Sequence, residues 1–273
     1  MKKIICAIDY SSNSLAALKY AVSLGHLLKE DIIALHVYNP EIEHVLHGKK
    51  GARKKHQEKL SDFCKSQLQD QFNPSEISFA AIGGENIPEA ISDFVRDLNI
   101  HMIVMGACGT STIKEMFLGS TTKEMSEISP FPVLAVPSDF ITGTVKKVIF
   151  ASVLDDKDVD HLLDLIHILS PATPEINVVH ITHKEEISAT KKIEDFKARV
   201  EKRISYSNLT YHSIFSANVY ETLENTIDEL NADLVVLPDL KGKNEVNKVI
   251  IREKIKHMQS CTKIPVLSFS SIK

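Results

Sequence analysis

Residues 100–109 read IHMIVMGACG, and residues 119–122 read GSTT. The apolar run 100–105 predicts a buried strand, and the glycines that follow it predict a loop. Because glycine has no Cβ, the backbone N–H groups of such a loop can approach an anion closely. The GSTT segment predicts a helix start, where unpaired N–H groups and the helix dipole favour negative charge. Together these segments indicate a phosphate site without a lysine, although a Ser-capped helix without a ligand is the plainer alternative.

A second signal lies at the start of the chain, where residues 3–9 read KIICAID and residues 10–14 read YSSNS. The apolar strand ends at Asp9, and Ser and Asn residues then cap a helix predicted from about residue 14 to residue 28. Because loops at the carboxyl ends of parallel strands line the ligand crevice, Asp9 and Gly106 are expected at the same edge of a sheet. A carboxylate there suits ribose hydroxyls, and simple capping of the helix by Asp9 is the alternative.

These segments resemble the universal stress protein family. The resemblance rests on Asp9 with its Ser-rich turn, on the spacing G-x2-G-x9-G-[ST] from Gly106 to Ser120, and on the closing strand 132–136. It covers residues 1–137 well and, without the glycine motif, the rest of the chain. Since the motif resembles that of the ATP-binding branch, the resemblance implies a stress-response or regulatory protein that binds ATP or another adenine nucleotide, with or without Mg²⁺.

The resemblance also implies which residues contact the nucleotide. It places the adenine and ribose beside Ala7, Asp9 and Val37. It places the phosphates beside Met105, Gly106, Gly109, Gly119, Ser120, Thr121 and Thr122. No catalytic residue and no metal ligand of the protein is implied. A slow hydrolase that uses the same site and a ligand-free interaction scaffold are the alternatives; a hydrolase needs a positioned base, for which Asp9 and Glu115 are the carboxylate candidates.

The chain also contains an internal repeat. Residues 98–105, LNIHMIVM, match residues 230–237, LNADLVVL, and residues 132–134 match residues 265–267. Each half alternates strands with helices, which predicts an α/β fold of two tandem open parallel sheets. The resemblance implies that these sheets are Rossmann-like and similar to those of adenine nucleotide hydrolases. The turn-rich stretch 137–144 predicts a boundary that gives domains 1–141 and 142–273.

The last strand of each half, 132–136 or 265–269, is apolar and predicted to lie at a sheet edge, where it needs a partner. We expect these two strands to pair antiparallel and to join the halves as a pseudo-dimer within one chain, as in dimers of the family. A further homodimer is left open. Helices are predicted near 14–28, 50–71, 87–97, 119–128, 157–169, 186–204, 219–230 and 246–260.

The second half departs from the glycine motif. Val153 stands near the position of Asp9, and residues 237–241 read LPDLK where the first half has MGACG. Ile251 and Arg252 replace Gly119 and Ser120. Bulky side chains block close approach of the backbone, and Asp239 would repel phosphate. We therefore expect one nucleotide per chain, in the first half, and a degenerate second domain.

The composition limits which cellular compartment and which partners are expected. The formal net charge of −4 argues against nucleic acid or an anionic membrane as the main partner. No apolar stretch approaches the length of a membrane span, and Asp9 interrupts the first apolar run too early for a signal peptide. The four cysteines form no C-x-x-C pair, which indicates reduced thiols. We expect a cytoplasmic protein whose partners are an adenine nucleotide and an unidentified regulatory protein.

Overall fold

The computed structural model describes residues 2–107, 120–140, 144–182, 187–238 and 263–269. Within these ranges the strands are β1 (Lys3–Ala7), β2 (Asp31–Tyr38), β3 (Ile77–Gly83), β4 (Ile100–Gly106), β5 (Val133–Val136), β6 (Lys147–Ala151), β7 (Glu175–Thr182), β8 (Leu209–Phe215), β9 (Leu234–Leu237) and β10 (Val266–Ser268). The α-helices are α1 (Ser12–Leu28), α2 (Pro40–Leu68), α3 (Ile87–Val95), α4 (Ser120–Ile128), α5 (Asp156–Ile168), α6 (Ile187–Glu201) and α7 (Val219–Leu230). The predicted helix 246–260 and the predicted boundary at 141/142 lie outside the described residues.

The described strands form one sheet in the order β3-β2-β1-β4-β5-β10-β9-β6-β7-β8. All pairs within each half are parallel, and β5 pairs with β10 antiparallel. The short apolar strands alternate with amphipathic helices, which is the pattern that builds parallel sheets covered on both faces. The predicted α/β class, the two tandem parallel sheets and the antiparallel join between the closing strands are confirmed.

Helices cover both faces of the sheet. Buried residues of α1, α2, α5 and α6 share one core with residues of β1 and β6, among them Leu18, Leu60, Leu162 and Phe196. On the opposite face, α3 and α4 pack against the first half through Ile91, Val95 and Met125. Helix α7 packs against the second half through Leu223 and Ile227. The crevices at the ends of the strands are therefore bordered by helix termini on both faces.

The two halves are built alike in detail. Helix α1 begins after the N-cap Ser11, and α5 begins after the N-cap Asp155, which lies 144 residues further along. The residue before each cap has a left-handed backbone, with φ of 68° at Tyr10 and 65° at Leu154. This conformation is uncommon for residues other than glycine, so its recurrence supports a true structural repeat. An offset of 144 thus relates β1, α1 and β2 to β6, α5 and β7.

Helix α2 differs from its prediction. It begins at Pro40 rather than near residue 50, and its backbone is kinked at Gly48, where φ is 66°. The Asn39 side chain accepts a hydrogen bond from the backbone N–H of Glu41, and Pro40 occupies the first helical turn. Both are ordinary helix-start signals. The prediction missed the first segment because Gly48 interrupts the helical pattern.

Candidate functional site

A cavity of about 150 Å³ lies where β1, β2 and β4 end and where α1, α3 and α4 approach the sheet. Its wall includes seven of the residues that the resemblance implied: Ala7, Asp9, Val37, Met105, Gly106, Thr121 and Thr122. The sheet therefore brings together residues that are up to 115 positions apart in the sequence. Gly109 and Gly119 lie outside the described residues, and of Ser120 only the backbone, at the start of α4, is described.

The Asp9 carboxylate is held by the turn that follows β1. Its Oδ1 accepts hydrogen bonds from the backbone N–H of Ser11 at 2.9 Å and from the Ser11 hydroxyl at 2.5 Å. Partial burial would raise the pKa of Asp9, but hydrogen bonds from Ser11 and Ser14 outweigh it, so the pKa is lowered. Asp9 is not the helix cap, because Ser11 accepts the hydrogen bond from the Ser14 backbone N–H. The carboxylate is thus ionised and fixed at the cavity wall.

Gly106 is required by packing as well as by any ligand. A Cβ built on this residue would lie 2.5 Å from the carbonyl carbon of Asn13. The end of β4 can therefore pass the first turn of α1 only because residue 106 has no side chain. The Gly106 carbonyl accepts a hydrogen bond of 3.1 Å from the Thr122 hydroxyl, which ties α4 to β4. Thr122 thus uses its hydroxyl proton within the protein.

Several cavity residues were missed by sequence reasoning: Ile8, Ser11, Asn13, Ser14, Leu35, Ile87 and Ile91. Ile87 and Ile91 lie one turn apart on α3 and form an apolar wall with Val37 and Leu35. Ile87 is 39% exposed. In the sequence, Ile87 and Ile91 belong to the strongly amphipathic pattern of 87–95. That pattern predicts a helix that faces the core, but it does not predict which end of the helix lies near a ligand.

Three helices begin at this cavity. Asn13 and Ser14 come from the first turn of α1, Ile87 opens α3, and Thr121 belongs to the first turn of α4. The N-terminal turn of a helix offers N–H groups without partners in the helix and the positive end of its dipole. The site therefore combines an apolar slot, one fixed carboxylate and converging helix termini that favour an anion.

In the second half, the described part of the equivalent region is filled by its own side chains. Asp158, at the position of Ser14, accepts hydrogen bonds from the Ser152 hydroxyl and from the backbone N–H groups of Val153 and Leu154, at 2.6, 2.8 and 3.1 Å. Arg199 donates to Asp156 and to the Leu154 carbonyl. Backbone N–H groups that could hold an anion thus already hold a carboxylate. Asp239, Lys241, Ile251 and Arg252, which the sequence prediction used, lie outside the described residues.

Comparisons with known proteins agree with this fold. The sequence profile of the Universal stress protein family matches residues 1–137, just over half of the chain. The chain therefore belongs to the universal stress protein family. It is 28% identical over 156 residues to a universal stress protein of Methanocaldococcus jannaschii, covering 50% of this chain and 94% of that protein. It is 29% identical over 147 residues to universal stress protein YxiE of Bacillus subtilis, covering 49% of this chain and 97% of that protein.

The two-half architecture also has a structural counterpart. The crystal structure of a universal stress protein from Archaeoglobus fulgidus superposes with a TM-score of 0.74, covering 98% of both chains at 16% sequence identity. At this identity the likeness concerns the fold. It shows that the second half of the present chain, as well as the first, follows an architecture already seen in the family.

Other expectations concern membranes, metals and thiols. Among the helices of the described ranges, none combines the length and apolarity that a membrane span needs. In the same ranges no three His, Cys, Asp or Glu side chains are grouped so that they could hold a metal ion. Cys6 and Cys64 are free and buried, and burial raises the pKa of both thiols. Reduced, unreactive thiols are consistent with this arrangement; Cys108 and Cys261 lie outside the described residues.

Proposed function

We propose that the first half binds one adenine nucleotide, ATP or AMP, and that the protein is a nucleotide-responsive regulator of the stress-response type. The observation that carries this proposal is the single cavity wall that unites Asp9, Val37 and Gly106 with the N-terminal turn of α4. The described wall does not distinguish nucleotides by their number of phosphate groups, so we propose both ATP and AMP as ligands. Mg²⁺ would accompany the phosphates of ATP.

The apolar part of the cavity suits the base. Val37 and Leu35 on the sheet face Ile87 and Ile91 on α3, and a planar ring between them would be buried on both sides. The partly exposed Ile87 gains most, because binding would remove its apolar surface from water. The described cavity of about 150 Å³ is smaller than the roughly 300 Å³ of a typical ligand pocket. It therefore suits the base, with the ribose at its Asp9 edge, and we assign the phosphates to Thr121 and to the glycines at 109 and 119.

The polar part suits ribose and phosphate. Asp9 is ionised and oriented by Ser11, so its second oxygen can accept hydrogen bonds from ribose hydroxyls. The helix starts at Asn13 and Thr121 supply positive potential for phosphate. Because Thr122 donates its proton to Gly106, its contact with phosphate would come from its backbone N–H.

Fast hydrolysis is not part of this proposal. Asp9 has a lowered pKa and already accepts two hydrogen bonds, which makes it a weak base. We propose domains 1–141 and 142–273, a cytoplasmic location, and a regulatory protein partner that responds to nucleotide occupancy. The second domain, with Asp158 in its anion position, then serves as the structural partner of the first.

Two measurements test the proposal. Mass spectrometry of small molecules released from the purified, denatured protein should find an adenine nucleotide. Titration calorimetry with ATP and AMP should give binding at one site per chain. Val37→Phe fills the base slot and should weaken binding by about tenfold or more, since cavity volume is lost. Gly109→Val should also weaken nucleotide binding, because the valine side chain would fill the space proposed for the phosphates.

The repeat supplies a matched control. Ile181 occupies the position of Val37 in the second half, so Ile181→Phe makes a similar change at the equivalent strand and should leave nucleotide affinity unchanged. Equal affinities of wild type and Val37→Phe would contradict the site. Loss of affinity in Ile181→Phe alone would move the site to the second half.

A further inference from the structure

A second cavity, of about 300 Å³, lies beside the join between the two halves. It is formed by Lys2 before β1, by Ile100 and His101 at the start of β4, by the turn 130–132 before β5, by Phe269 after β10, and by one side of α5. Among the described residues it shares none with the nucleotide cavity, whose part of β4 is Met105 and Gly106. We term it the seam cavity.

The internal repeat explains why the seam cavity exists. The offset of 144 that relates α1 to α5 places Tyr20 and Asp164 at equivalent positions. Tyr20 is 3% exposed and packs against Phe140, with a centroid separation of 5.7 Å. The same region of the first half is thus filled by a phenol ring. In the second half the shorter Asp164 side chain stands there and lines open space.

The surroundings of the two positions correspond as well. An offset of 132 relates β4 to β9, so His101 in the first half corresponds to Asp233 in the second. Asp233 lies near Tyr20: burial is the main cause that raises the pKa of Tyr20, and the charge of Asp233 raises it further. His101 lines the seam cavity together with Asp164. The seam cavity is therefore the counterpart of a space that a tyrosine ring occupies in the other half.

The lining of the seam cavity offers ring contacts and hydrogen-bond acceptors. His161 stacks on Phe269 with a centroid separation of 4.9 Å and an interplanar angle of 26°, which forms an aromatic wall. His167 Nδ1 donates to the Leu163 carbonyl at 2.7 Å, so Nε2 of the neutral ring is an acceptor. The Asp164 carboxylate adds acceptor oxygens, and Phe131 adds a further ring.

We propose that the seam cavity binds a small single-ring aromatic molecule that carries a hydroxyl or amino group, of the phenol or aniline class. The ring takes the place that the Tyr20 ring takes in the first half, beside His161 and Phe269. Its O–H or N–H donates to Asp164 or to His167 Nε2. A volume of about 300 Å³ admits one such ring, at the lower limit of ordinary ligand pockets. Because the ligand touches both halves, its binding would stabilise the join.

The test uses p-cresol, which has the shape of a tyrosine side chain, and the full chain. Titration calorimetry should show one p-cresol bound per wild-type chain with a dissociation constant of about 1 mM or lower. Asp164→Tyr places the equivalent of Tyr20 in the cavity and should weaken p-cresol binding by about tenfold or more. Asp164→Leu, which fills less space and removes the carboxylate, should also weaken it and serves if the tyrosine variant fails to fold.

Two controls separate this site from other binding. Asp62→Tyr makes the same chemical change at an exposed position of α2 and should leave p-cresol affinity unchanged. Val37→Phe blocks the nucleotide cavity and should also leave it unchanged, whether or not that cavity binds nucleotide. The proposal is overturned if wild type binds no p-cresol up to its solubility, if both Asp164 variants bind it as wild type does, or if Val37→Phe abolishes binding.

Discussion

Leu134 of β5 lies directly opposite Leu267 of β10, at the centre of the one antiparallel pair between described strands. The hydrogen bonds of this join come from the neighbours on each side. Pro132 and Val136 direct their carbonyl groups toward β4, so the backbone of Ala135 faces β10 and pairs with Val266. The two leucines form a non-hydrogen-bonded pair, in which side chains approach more closely.

Ala135→Pro should therefore break the join. Proline removes an N–H donor from a central ladder and should lower the free energy of unfolding by about 3 kcal/mol or more. Urea unfolding followed by circular dichroism measures the change. Ser213→Pro is the control, because Ser213 lies on the outer strand β8 and its N–H points away from β7. An equal loss of stability in both variants would contradict a structural role for the join.

Gly106→Ala should destabilise the fold independently of any ligand. The new Cβ would lie 2.5 Å from the Asn13 backbone, so β4 and α1 would have to separate. Overpacking of this kind costs about 1–3 kcal/mol. Thermal unfolding without nucleotide measures it, with Gly48→Ala as the comparison. At Gly48 nothing lies within 4 Å, but φ 66° and ψ 161° form a backbone conformation that is essentially confined to glycine, so that variant should lose about 1–3 kcal/mol from backbone strain alone. No change in Gly106→Ala would show that the close approach of Asn13 is wrong.

Asp158 should make stability depend on pH. Burial is the largest cause that raises its pKa from 3.8 to about 6, although the hydrogen bond from Ser152 opposes the shift. The folded state then binds the proton more tightly than the unfolded state. The contribution of Asp158 to the free energy of unfolding is complete below about pH 4 and is lost as pH rises through about 6. The loss is roughly 2–3 kcal/mol. In Asp158→Asn the urea midpoint should depend less on pH between about pH 4 and 6 than it does in the wild type. An unchanged pH dependence would contradict the assignment.

Lys29→Gly should stabilise the protein. Lys29 ends α1 with a left-handed backbone, φ 57° and ψ 47°, and its N–H bonds to the Gly25 carbonyl. Glycine adopts this conformation without the Cβ penalty, so a gain of about 0.5–1 kcal/mol is expected. Lys19→Gly, at an exposed position inside the same helix, should instead lose about 1 kcal/mol. Thermal unfolding at constant pH compares the two. A loss of stability in Lys29→Gly would mean that the lysine side chain makes a larger contribution than the backbone.

Much of the fold could be predicted because it is local in the sequence. Apolar runs such as 100–105 mark strands, and the repeat together with the apolar closing strands predicts the antiparallel join. The start of α2 was missed because Gly48 interrupts the helical pattern at a kink. The Ser11 cap of α1 follows from the Ser- and Asn-rich turn, as predicted. Tertiary packing, which no local pattern records, decided that Gly106 must clear Asn13.

The candidate site was predictable only in part for the same reason. Asp9 and Gly106 follow from strand ends and a motif, and Ala7 from the family resemblance. Ile87 and Ile91 enter the wall through the packing of α3 against β2. The seam cavity was not predictable. Asp164 looks like any polar helical residue until the structure places it opposite a space that Tyr20 fills elsewhere.

The antiparallel join has a consequence for how the molecule meets a partner. It reverses the strand direction halfway across the sheet, so the carboxyl ends of the first five strands share an edge with the amino ends of the second five. A protein that approaches the crevice of the first half therefore also meets the amino ends of the strands of the second half, beside that crevice. In a symmetric dimer of single domains both edges would look the same. Here the two halves have diverged, so the two edges of the sheet differ, and the described cavity beside Asp9 opens at one of them.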